Sequence, residues 1–199
     1  MARIGLFPGT FDPIHEGHVT FAMAAMAAAH LDKVVFLPER LPRGKEAVTP
    51  LDHRRRMIDL VIHRRPQLAV VVLPDDQFTV QKTLPQFEQL WPHDELWLLV
   101  GSDIVGTFQA WPDVDELFRR VKLLVGVRSD DQSAALQAKL ARLEDQIGVK
   151  VDHQLIATTA AAVASTHLRQ QPTSPHLARS VADYISAHGL YGGELSTNH

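Results

Sequence analysis

Short apolar runs without polar alternation recur along this chain, separated by longer stretches of helical composition, and that rhythm limits the architectures open to it. Residues 2–7 (ARIGLF), 33–38 (KVVFLP), 68–74 (LAVVVLP), 95–101 (ELWLLVG) and 121–127 (VKLLVGV) are too short for helices. Lacking a polar face, they read as strands covered on both sides. A further strand is expected around 149–156 (VKVDHQLI). Between them, 17–30, 51–64, 79–91, the stretch near 112–120 and 133–146 carry helix-forming composition. The alternation predicts an α/β fold, a Rossmann-like doubly wound parallel sheet with helices on both faces. At 199 residues the chain suits one domain spanning 1–199. Its C-terminal helical segment, 163–191, holds two short helical patterns separated by PTSP, the second closing with a C-cap signal at His188-Gly189.

Charge and cysteine content exclude several functions. With 20 Lys plus Arg against 23 Asp plus Glu, the net charge is -3. The chain as a whole therefore does not attract nucleic acid or an anionic membrane, and phosphate binding must be local. The absence of cysteine excludes disulfide scaffolds, thiolate zinc sites, iron–sulfur clusters and thiol nucleophiles. The first apolar run is broken by Pro8-Gly9 and does not resemble a signal peptide, and no stretch approaches the ~18 apolar residues of a membrane span. A soluble, cytoplasmic protein is expected, with neither nucleic acid nor membrane as partner; a homo-oligomer is left open.

The most informative segment is GTFDPIHEGH, residues 9–18, where the first strand hands over to the first helix. Open α/β sheets bind ligands at such turns. The segment is neither a P-loop nor a Gly-x-Gly-x-x-Gly fingerprint. Gly9, Thr10 and Phe11 nevertheless offer backbone N–H groups in a tight turn, and Gly17 allows close approach as the helix begins. His15 and His18, three apart, share one helical face. Three readings compete for the pair: a metal site with Asp12 and distant ligands, an ordinary helix-start packing pair, or two imidazoles donating hydrogen bonds to a phosphate whose charge grows in a transition state. The long connection PERLPRGKEAVTP (38–50) has the length of a functional loop, on which Arg43 and Lys45 are candidate phosphate ligands.

GTFDPIHEGH resembles the signature of the HxGH nucleotidyltransferases, which move a nucleotidyl group from ATP or CTP to a phosphate or alcohol and release pyrophosphate. Near the C-terminus, VASTHLR (163–169) is similar to the superfamily's I-S-S-T-x-x-R motif, with Ser165, Thr166 and Arg169 matching and Ala164 where serine is usual. Ser165 and Thr166 also suit an ordinary N-cap. Over nearly its whole length the chain resembles the nicotinate mononucleotide adenylyltransferases. The stretch LVGSDIVGTFQAWPDVDEL is similar to the one in which Gly101 and Asp103 would contact adenosine and Trp111 would stack on the pyridine ring. QFTVQKTL (77–84) resembles the element whose backbone near Thr79 would read the pyridine substituent. VGVR ending at Arg128 and VADYISAHGLY ending at Tyr191 also look like the family. Trp111 equally suits a core position and Asp103 a helix cap. Departures fall on the acceptor side: Phe78 and Gln81 replace Tyr and Asp, and Pro42-Arg43-Gly44-Lys45 stands for Pro-Pro-His-Lys.

The resemblance implies adenylyl transfer from ATP to nicotinate mononucleotide, giving deamido-NAD and pyrophosphate. On that reading His18 and His15 serve the α-phosphate, Arg169, Ser165 and Thr166 hold the β- and γ-phosphates, and Gly9, Thr10, Phe11, Gly101 and Asp103 complete the ATP site. Thr79, Trp111, Lys45 and Arg128 face the acceptor, and Mg²⁺ rides on the triphosphate. Other acceptors, nicotinamide mononucleotide or phosphopantetheine, stay open at this stage. So do a nucleotide-binding protein without turnover and a histidine metal hydrolase.

Overall fold

The computed structural model describes residues 1–45, 47–127, 133–158, 168–169 and 174–191. Six strands alternate with helices: β1 (Arg3–Gly9), α1 (Glu16–Ala29), β2 (Lys33–Pro38), α2 (Leu51–Ile62), β3 (Leu68–Val70), α3 (Val80–Leu90) and β4 (Glu95–Gly101). There follow the short α4 (Ser102–Val105), a 3₁₀ turn at Phe108–Ala110, α5 (Val114–Arg120), β5 (Lys122–Val127), α6 (Ser133–Ile147), β6 (His153–Ala157) and α7 (Arg179–Ala187). The strands form one sheet in the order β3-β2-β1-β4-β5-β6, every pairing parallel. This is the doubly wound arrangement expected from the apolar strands.

Alternate strand residues enter two cores. Ile4, Leu6, Val35, Leu37, Leu98, Val100, Leu123 and Val125 meet α3, α5 and α6 through Leu84, Phe87, Leu117, Phe118 and Leu140. The opposite set, including Phe7, Val34, Phe36, Leu99 and Leu124, meets α1, α2 and α7 through Phe21, Ala25, Met57, Ile58, Val181 and Ile185. Burial on both faces explains why no strand shows polar alternation. Among the described residues no helix is long and apolar enough to cross a membrane.

Two boundaries differ from expectation for physical reasons. LAVVVLP pairs only through Val70; the Val71 N–H reaches Phe36 O at 3.0 Å, and the next rung would require the N–H of Pro38, which has none. The last strand begins at His153 rather than 149, where Leu123 of β5 first finds a partner. The expected C-cap is present, with Gly189 at φ 58 in the left-handed region that favours glycine.

Tight sheet–helix packing gives a direct test. A Cβ at Gly5 would lie 2.9 Å from Leu31 Cδ1, 3.0 Å from Leu99 Cδ1 and 3.1 Å from Val34 Cγ2. Gly5→Ala should lower stability by about 1–3 kcal/mol through overpacking, read as a lower urea midpoint. An unchanged midpoint would show that this face has slack.

Candidate active site

The strand order reverses between β1 and β4, and the carboxyl ends of these two strands open the crevice in which doubly wound sheets bind ligands. β1 ends at Gly9 and β4 at Gly101, so the two glycine-marked turns are brought side by side. A Cβ on Gly9 would meet the Phe11 ring at 2.9 Å, and one on Gly101 would meet Asp103 Oδ1 at 2.5 Å. Each glycine therefore permits its turn to fold back closely. Phe11 takes φ 48 and the Asp12-Pro13 peptide is cis. The Phe11 ring is buried edge-on to Phe7 and Phe36, which ties the turn to the core.

His15 ends this turn as the N-cap of α1. Its ring centre lies 3.8 Å from that of His18, as the three-residue spacing predicts. The His15 backbone N–H donates to His18 Nδ1 at 3.2 Å. An Nδ1 that accepts places the ring hydrogen on Nε2. Burial, with smaller contributions from His15 and Lys45, holds the His18 pKa well below the usual imidazole value. His18 is thus a neutral donor with its Nδ1 side already occupied.

Arg54 and Asp12 anchor the fastenings of the surrounding loops. Arg54 of α2 is 0% exposed. Its guanidinium donates to Thr49 O at 2.7 Å, Thr10 O and Glu39 O at 2.8 Å, and Arg40 O at 3.1 Å. It therefore fixes the 38–50 connection to the turn after β1. Asp12 accepts from Tyr191 Oη at 2.6 Å through Oδ1 and from the Thr49 N–H at 3.2 Å through Oδ2. The Asp12 carbonyl accepts from Arg169 Nη1 at 2.9 Å, joining residues from opposite ends of the chain. Burial, and the bond to Asp12 next, raise the Tyr191 pKa, so its hydroxyl stays a donor.

A cavity of about 240 Å³ beside this junction is lined by Asp12, Lys45, Ala47, Val48, Thr49 and Arg169. Burial and the neighbouring Arg169 lower the Lys45 pKa, as expected where two cations converge. At the start of α3, the Phe78 N–H donates to Glu39 Oε1 at 2.9 Å and the Thr79 N–H to Thr83 Oγ1 at 2.9 Å. Arg43 Nη2 donates to Phe78 O at 2.9 Å, and its guanidinium lies 4.4 Å from the centre of the Trp111 ring. Trp111 is half-buried and edge-on to Phe108, with its indole N–H on Thr107 Oγ1 at 3.1 Å. Arg43 is therefore turned toward Trp111, while Lys45 on the same loop lines the cavity.

The structure thus brings His15, His18, Asp12, Lys45 and Arg169 together, with Gly9, Thr10 and Phe11 in the adjoining turn and Gly101 with Asp103 across the crevice. Thr79, Trp111 and Arg43 form a neighbouring cluster. Arg128, Ser165 and Thr166 lie outside the described residues. Among the described residues no group of three or more His, Asp or Glu side chains could hold a metal ion. Asp12, read in the sequence as a partner for a metal, is engaged by Tyr191 and Thr49. Arg54 was missed, yet it shares the buried face of α2 with Met57, Ile58 and Ile62. An arginine at core positions of a 3.6 pattern was the available signal.

The His18 environment links pH to stability. The unfolded chain takes up a proton at the ordinary imidazole value of about 6.5, whereas folded His18 resists it until lower pH. Below about 6.5 the unfolded state therefore binds more protons, and stability falls with falling pH. The urea midpoint of the native chain should drop more steeply between about pH 7 and 5 than that of His18→Gln; parallel pH dependences would contradict a depressed His18.

Comparisons with known proteins agree with this geometry. The cytidylyltransferase-like family model matches residues 6–171. A curated relative from Neisseria meningitidis serogroup A, named "Probable nicotinate-nucleotide adenylyltransferase", is 33% identical, covering 96% of this chain and 99% of its own. One of the same name from Carboxydothermus hydrogenoformans is 28% identical over 96% of this chain and 98% of its own. The fold matches that of Plasmodium falciparum nicotinic acid mononucleotide adenylyltransferase complexed with NaAD, with a TM-score of 0.75 at 17% identity, covering 98% of this chain and 100% of the other. With the turn after β1, its histidine pair and Arg169 meeting at the switch point, the chain belongs to the cytidylyltransferase-like family and, within it, to the nicotinate-nucleotide adenylyltransferases.

Proposed function

We propose that this protein transfers the adenylyl group of ATP to the phosphate of nicotinate mononucleotide, giving deamido-NAD and pyrophosphate. One observation carries the reading: a neutral imidazole donor and a converging cation pair, Lys45 and Arg169, flank one turn at the end of β1. Two polyanions must be held together there, and the groups present suit that task. The full-length relatives bearing this activity in their names supply the acceptor.

The acceptor phosphate has a second pKa near ~6 and is largely dianionic at neutral pH. It needs no general base. Its oxygen attacks the α-phosphorus of ATP in line, forming one O–P bond as the bond to the β-phosphate oxygen breaks and pyrophosphate leaves. His18 donates its Nε2–H to the α-phosphate, where negative charge must be stabilised without a proton being lost. His15 assists there. Arg169 holds the β- and γ-phosphates with Ser165 and Thr166, and the backbone of Gly9, Thr10 and Phe11 lines the approach. Gly101 and Asp103 take the adenosine. Trp111 offers its ring to the pyridine, Thr79 lies at the ring's edge, and Lys45 and Arg128 meet acceptor charge. Orientation of this kind supplies about 7–11 kcal/mol of a barrier. Mg²⁺ enters with ATP as part of the substrate, its shell completed by phosphates and water. A cytoplasmic setting belongs to the same reading.

His18→Ala should reduce kcat for pyrophosphate release by about 10²–10³-fold, the cost of one charge-stabilising donor, with the thermal melt still cooperative. Turnover at the native rate would remove His18 from the chemistry.

A further inference from the structure

The reading above leaves open which group distinguishes a pyridine carboxylate from a carboxamide, two substituents that differ by one charge. Backbone N–H groups at the 77–84 element are natural donors for a carboxylate, but two of them here have partners within the protein. Phe78 N–H is held by Glu39 Oε1, and Thr79 N–H by the Thr83 hydroxyl. Glu39 is buried, and its pKa is raised by that burial. Its carboxyl group is committed to Phe78.

Arg43 lies at the same place with donors to spare. One Nη2–H goes to Phe78 O, whereas a guanidinium carries five N–H groups. Among the described residues no carboxylate stands within ion-pair distance of it. Its plane is fixed from two sides, by the Phe78 carbonyl and by the Trp111 ring 4.4 Å away. The Phe78 carbonyl, a contact independent of the Trp111 face, holds this guanidinium beside the ring. The face it covers is the one a flat acceptor ring would use.

We infer that Arg43 is the specificity-determining residue of the acceptor pocket, a guanidinium that yields the Trp111 face to the pyridine ring and binds the ring's carboxylate. The inference rests on the proposed adenylyl transfer. A carboxylate accepts two parallel N–H bonds from a guanidinium and gains from the opposite charge. A carboxamide offers one oxygen, and its NH₂ group would face N–H donors with nothing to accept its hydrogens. The same residue that shields Trp111 before binding thereby rejects the neutral ring. Arg43 belongs to the 38–50 connection, so on this inference the selectivity resides in that loop.

The test compares kcat/KM for nicotinate and nicotinamide mononucleotides, with Mg-ATP, in the native protein, Arg43→Gln and Arg43→Lys. The native protein should prefer nicotinate mononucleotide, Arg43→Gln should lower the preference by about tenfold or more, the scale of one charge-assisted bond, and Arg43→Lys should fall between. The KM for ATP should stay within about twofold, because the change is confined to the acceptor side. A native preference for nicotinate that survives Arg43→Gln intact would overturn the inference and leave the adenylyl transfer standing. A native protein with no preference, or one favouring nicotinamide, would overturn it as well. Release of pyrophosphate with neither acceptor would defeat the proposed function itself, and this inference with it.

Discussion

A guanidinium with no surface exposed to water holds the site together. Arg54 uses four of its five N–H donors on the carbonyls of Thr10, Glu39, Arg40 and Thr49. These carbonyls come from the turn after β1, the residues just past β2 and the far end of the 38–50 loop, so one side chain spans all three. A buried cation is costly unless it is well hydrogen-bonded. Here that requirement works as a geometric constraint, because the carbonyls must converge for the charge to be tolerated. Lysine would keep the charge but lose the planar fork. Asp12 adds the second fastening, from Thr49 on one side to Tyr191 on the other, so both ends of the chain close on the turn after β1.

On this frame the charges divide into two kinds. Lys45 and Arg169 line a small cavity, and on the proposed reaction they meet the phosphates of the two substrates. His18 is neutral and oriented, its Nδ1 side fixed by the His15 backbone. A cation at that place would bind ground-state ATP more tightly and gain little at the transition state, since uniform binding does not accelerate the chemical step. On the proposed reaction, a neutral donor at the transferred phosphate adds hydrogen bonding without a further charge beside Lys45, and the burial that lowers the His18 pKa serves that role.

Much of the fold was legible because the signal is simple. Strands buried on both faces show uninterrupted apolar composition, and helices such as 51–62 show the 3.6 period. Local hydrogen-bond chemistry was harder to see. The early end of β3 follows from Pro38 on the neighbouring strand, a constraint that the LAVVVLP segment itself does not display. The histidine pair and its convergence with Arg169 were readable from motif spacing and resemblance. The fastenings were less so: Tyr191 and Asp12 are 179 residues apart, and no local pattern announces their bond. Arg54 could have been found from its helical phase. The place of Arg43 over Trp111 depends on a loop conformation that sequence alone does not give.

The central claim is direct displacement between two bound anions, with no covalent adenylyl-enzyme. It is tested by the stereochemical course at phosphorus, using ATP made chiral at the α-position by sulfur substitution and analysing the dinucleotide formed with nicotinate mononucleotide. A single in-line transfer should invert the configuration at the α-phosphorus. Retention would require two successive displacements through a covalent adenylyl-enzyme, and it would contradict the account.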